Sequence, residues 1–79
     1  PETLTEEEFN KMAEELENAA YALDGEMMLV VLEKMQQYQY HGHVLKKELE
    51  PLKNKIDMSD FISAAEAVRK IGTEEKGMV

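Results

Sequence analysis

Side chains able to do covalent or acid–base work are few and sit in three places. His41 and His43 are the only imidazoles, and His43 runs into Val44, Leu45 and Lys46, so a nucleophilic imidazole with a cation one turn away is one reading. An imidazole can take a phosphoryl group or relay a proton near neutral pH. The same two histidines are too few and too close together for an ordinary structural zinc site unless carboxylates or a second chain complete it. Glu66 is the second place, a carboxylate within Ala64-Ala65-Glu66-Ala67-Val68-Arg69-Lys70. The third is the acidic run of Glu6, Glu7, Glu8, Glu14, Glu15 and Glu17, which has neither calcium-loop spacing nor a His three positions after a Glu and reads as a solvated face. Absence of cysteine removes disulfides, thiolate metal sites and cysteine nucleophiles. With no Ser/His/Asp order and no Gly-rich phosphate loop, neither an enzyme nor a bound cofactor or metal is expected.

Charge and length narrow the classes further. A net charge of -8 argues against a nucleic-acid surface, and the one basic cluster, Lys46, Lys47, Lys53 and Lys55, is diluted by Glu48, Glu50 and Asp57. No apolar run reaches membrane-spanning length and no signal peptide is visible, so a cytoplasmic location without membrane contact is expected. A chain of 79 residues makes one domain, taken as 1–72 with a frayed tail at 73–79, and its core is marginal without idealised packing or a second copy. It begins with Pro1 rather than Met, as a processed protein or a fragment would.

The elements that must position these residues read as helices almost throughout. Thr5-Glu6-Glu7-Glu8 is a capping box, and Phe9, Met12, Ala13, Leu16, Ala19, Ala20 and Leu23 recur at helical spacing to about Leu23. Asp24-Gly25 breaks that helix. A second, about Gly25 to Gln39, is apolar over a wide arc, with Met27, Met28, Leu29, Val30, Val31, Leu32 and Met35. Tyr38, Tyr40, His41, Gly42 and His43 form a turn whose aromatics cover the end of the core. The third helix carries Leu45, Leu49, Leu52 and Ile56, and Pro51 kinks or splits it into 44–50 and 51–57. The fourth starts at Asp57 or Ser59, buries Phe61, Ile62, Ala65, Val68 and Ile71, and stops at Gly72. The expectation is an all-α, small antiparallel bundle of four helices, with no internal repeat and no strand-period segment.

The stretch Asp57 to Gly72 resembles the phosphoacceptor helix of histidine-containing phosphotransfer domains. There an Asp-started helix runs through paired alanines to a His, then to an aliphatic residue, a Lys and a Gly. Asp57, Ala64-Ala65, Val68, Lys70 and Gly72 stand at matching places, and Glu66 stands where the His would be. The resemblance covers roughly Gly25 to Gly72 and is similar to short acidic helical regions at the carboxyl end of sensor histidine kinases of Clostridia-like bacteria. It implies a scaffold without phosphotransfer, because Glu cannot take a phosphoryl group as imidazole does. His43-Val44-Leu45-Lys46 is similar to the same motif in another register, but Lys47 occupies the place of the Gly and Gly42 puts His43 at a helix start.

Three functions follow as expectations. The first is a non-catalytic signalling module of a bacterial two-component system that binds a receiver or kinase domain through Glu66, Ala67 and Lys70, the carboxylate imitating the charge of phosphohistidine. A second is a freestanding homo-oligomer, a dimer through Met28, Val31 and Met35 of the second helix. The third is active phosphotransfer through His43.

Overall fold

In a computed structural model that describes residues 1–74, the chain forms five helices and a small sheet. The elements are β1 (Glu2–Thr3), α1 (Glu6–Tyr21), α2 (Gly25–Met35), β2 (Tyr38–Tyr40), β3 (His43–Val44), α3 (Leu45–Glu48), α4 (Glu50–Asp57) and α5 (Phe61–Ile71). The four longer helices pack in a ring, α1 on α2, α2 on α4, α4 on α5 and α5 on α1. Arg69 near the end of α5 reaches Asn10 near the start of α1, and Gln36 just after α2 reaches Glu50 at the start of α4, so neighbours in the ring run antiparallel. Their shared core holds Phe9, Leu16, Met28, Leu32, Met35, Leu45, Leu49 and Val68, each fully buried.

Local chemistry accounts for most boundaries. Thr5 and Glu8 exchange the two capping hydrogen bonds at 3.1 and 2.9 Å, and Glu6, Glu7 and Glu8 lie on the positive end of the α1 dipole. Asp24 accepts from the Met27 amide at 3.0 Å and caps α2. Pro51 lies in the first turn of α4, where its missing N–H and fixed φ cost nothing, and the third helix is split there as expected. Asp60, rather than Asp57 or Ser59, stands at the cap of α5, and its side chain makes no cap bond. Thr73 and Glu74 bond back to Lys70 and Ile71 at 3.0 and 3.2 Å, so this part of the expected frayed tail is tied to α5, and residues 75–79 lie outside the described part.

The bundle is not purely helical. Tyr38 to His43, expected as a turn, forms a hairpin, with His41 and Gly42 both at positive φ (49° and 79°) as a two-residue loop requires. Tyr40 pairs with His43 across it, and β1 joins the other edge of β2 in parallel, Glu2 opposite Tyr38 and Thr3 opposite Gln39. The ring of Tyr40 stacks between Phe9 (4.3 Å) and His41 (4.0 Å), closing that end of the core as the aromatic content suggested.

The parallel pairing exposes a repeat that the sequence concealed. The separation from Glu2 to Tyr38 also relates Asn18 to Asn54, Asp24 to Asp60 and the 11 residues of α2 to the 11 of α5. At the end of α1, Ala22 donates to Asn18, Leu23 to Ala20 and Asp24 to Ala19; at the end of α4, Met58 donates to Asn54, Ser59 to Ile56 and Asp60 to Lys55. Leu23 and Ser59 both take left-handed φ, 57° and 62°. Buried residues correspond as well: Leu4 to Tyr40, Phe9 to Leu45, Ala13 to Leu49, Leu16 to Leu52, Ala20 to Ile56, Met28 to Ala64 and Leu32 to Val68. The chain is thus two strand–helix–helix units, with α1 and α4 at opposite corners of the ring and α2 and α5 at the other two. In the second unit β3 and α3 stand where the first turns of the long helix would be.

Candidate functional site

Helix α5 presents one polar row to solvent. Its buried residues, Ala64, Ala65 and Val68, fix the rotation, and Ile62, Glu66 and Lys70, four apart, then face outward. Of the three residues expected on a docking face, Glu66 and Lys70 are exposed and share this row, while Ala67 is partly buried against the core. Small residues at 64 and 65 let α1 approach closely. The cleft this leaves, lined by Glu17, Ala20, Tyr21, Ile62, Ala65 and Glu66, has a volume of only ≈ 30 Å³. That is far below the size of a small-molecule site.

Tyr21 and Ile62, 76% and 43% exposed, give the cleft an apolar rim that the sequence reading did not single out. Ile62 was expected in the core; it lies four positions before Glu66 and therefore on the outward row. Arg69 braces the same two helices through paired bonds to Glu17 (2.8 and 3.1 Å) and one to Asn10 (3.1 Å). The Arg69 hydrogen bond holds the Glu17 carboxyl below its ordinary range, and Glu17 in turn raises Arg69.

His43 is placed otherwise than a phosphoacceptor needs. Its side chain is 8% exposed, Nδ1 lies 3.0 Å from Glu48 Oε1, and Nε2 is buried with no partner. A carboxylate only accepts, so Nδ1 is the donor to Glu48, and Nε2 points into protein. Neither nitrogen is open to a phosphoryl donor, because pairing with Tyr40 turns His43 inward.

The expected oligomer interface also requires correction. Met28, Val31 and Met35 are all buried in the chain's own core. Residues on the solvent side of α2 are instead Glu26, Met27, Val30, Glu33 and Lys34. The wide apolar arc had two parts, an inner face serving the bundle and a narrower outer one left uncovered.

A polar groove between α2 and α4, ≈ 370 Å³, is lined by Glu33, Gln36, Gln37, Lys46, Glu50 and Lys53. Gln36 is committed there, donating to the Lys46 carbonyl at 2.8 Å and to Glu50 at 3.0 Å, and this bond with nearby Lys53 lowers the Glu50 carboxyl. Among the described residues no group of three or more His, Asp or Glu is arranged to hold a metal ion, and no helix is long and apolar enough to cross a membrane. No family model, curated protein or solved structure matches the chain.

Proposed function

We propose that this chain is a non-catalytic helical docking module, shaped like a histidine-containing phosphotransfer domain, that binds a receiver or kinase domain of a two-component system through α5 and the end of α1. The observation that carries the reading is the position of Glu66: midway along α5, exposed, on the rim of the α1–α5 cleft and flanked by exposed Tyr21 and Ile62. Apolar groups of this size beside a charged row suit a protein partner, since aromatic and aliphatic anchors supply most interface energy and rim charges set register. Lack of an imidazole at that place makes the module a binder, with the carboxylate as a fixed negative charge.

The test is an NMR titration of the labelled chain with a receiver domain encoded in the same genome. Shift changes are expected at Tyr21, Ile62, Glu66 and Lys70, with Glu66→Lys and Ile62→Asp each weakening binding by about tenfold. An unchanged spectrum at saturating receiver, repeated with the kinase domain, sinks the proposal.

A further inference from the structure

The outward row of α2 is apolar at its centre and oppositely charged at its ends. Val30 and Met27 are 58% and 48% exposed, and Glu26 and Lys34, four positions either side of Val30, are exposed too. Just before the helix, Leu23 is 75% exposed despite its left-handed backbone. The second unit serves as an internal control for what the fold demands. Ser59 stands at the place of Leu23, Ser63 at that of Met27 and Glu66 at that of Val30, so none of these apolar groups is needed to build the helix–turn–helix pair.

We infer that α2 pairs with α2 of a second copy of this chain, about a twofold axis passing beside Val30. When rows of residues four apart interlock between helices, the crossing is about 50° from parallel or antiparallel, the commonest class in globular proteins. For the row Glu26–Val30–Lys34 such a twofold sets Val30 against Val30 of the second copy and Glu26 against Lys34 of the second copy, twice over. The surface is therefore complementary to itself, as an isologous interface must be. Met27 and Leu23 lie beside the row and extend the apolar contact, and the two helix dipoles oppose one another favourably. The equivalent row of α5 cannot do this, because Glu66 would meet Glu66 and Ile62 would meet Lys70. Charge pattern thus assigns the second copy to α2 and a different partner to α5, at opposite corners of the ring, so the inference does not depend on the function proposed above.

Sedimentation velocity on the full chain, from about 10 µM to about 1 mM, reads this directly. A reversible dimer is expected, and Val30→Glu is expected to sediment as a monomer throughout with unchanged circular dichroism, Glu66 showing that the scaffold carries a glutamate at that place. Glu26→Lys and Lys34→Glu should each weaken association about tenfold, and the double exchange should restore it. Glu66→Lys should leave self-association unchanged, which separates this surface from the docking face of α5. A monomer at every concentration overturns the inference, as does a dimer indifferent to Val30→Glu. Losses that add in the double exchange instead of cancelling overturn the antiparallel register.

Discussion

In the first unit the outward row of α2 reads Glu26, Val30, Lys34, and the turn before it carries Leu23; in the second unit the same places on and before α5 hold Ile62, Glu66, Lys70 and Ser59. Inside, the two units obey one plan, with matched buried positions and the same hydrogen bonds at the helix ends. Packing constrains the inner faces and leaves the outer ones free to differ. The contrast between self-complementary α2 and mixed α5 is therefore the place to look for function.

The equivalence of the two units can be broken first at its core. Leu16 and Leu52 are the same residue at corresponding buried places, and replacing either by Ala should cost about 2–5 kcal/mol in urea unfolding. A cost much below that range at Leu52 alone would mean that α4 is an appendage rather than the counterpart of α1. The units are expected to part at their ends. A Cβ on Gly72 would lie 2.5 Å from Phe9 Cε1, and Phe9 is held by its stack on Tyr40, so Gly72→Ala should lose about 1–3 kcal/mol on thermal unfolding. The first unit carries Gln36 at the corresponding place and needs no glycine there.

Leu23 sharpens the comparison from the other side. A left-handed leucine exposed to water is strained by roughly 1–2 kcal/mol, so Leu23→Gly should raise folding stability by about 1 kcal/mol while weakening self-association. A loss of stability in that variant would place Leu23 in the monomer's own packing. The smallest effect belongs to the brace between α1 and α5. Glu17→Gln should cost about 0.5–1 kcal/mol, screened by salt because both partners are partly exposed. Its acid dependence has a definite sign. A carboxyl held low in the folded state stabilises at neutral pH and loses that contribution as pH falls through its folded pKa, and Glu8 and Glu50 shift in the same direction. Unfolding midpoints should thus be level above the ordinary carboxylate range and fall below it, with a shallower fall in Glu17→Gln.

Much of the fold was legible in the chain because short-range rules govern it. Capping at Thr5 and Asp24, the break at Pro51 and the inner stripes of α1, α4 and most of α5 follow from neighbours within a turn or two. The repeat was not legible, and its core explains why. Where one unit has Ala13, Ala20 or Met28 the other has Leu49, Ile56 or Ala64, so volumes compensate across the core while identities vanish. The small sheet was missed because β1 and β3 are two residues each, too short for an alternating pattern to show. Glu66 and Lys70 could be placed outward from helical spacing alone, but Tyr21 reaches the same cleft only through the packing of α1 on α5.

Sequence by itself determined where α1 and α2 begin, that Pro51 divides the third helix, and that α2 has more apolar surface than one neighbour could cover, whereas α2 stops at Met35 short of the expected Gln39. Only the tertiary structure decided which half of that surface the bundle uses. Met28, Val31 and Met35 turn inward and Met27 and Val30 outward because α1 and α4 fix the rotation of α2, and a long-range constraint of that kind leaves no trace in local spacing. For the same reason His43 passed from candidate nucleophile to buried partner of Glu48: an alternating hairpin side, set by pairing with Tyr40, decided which way the imidazole faces.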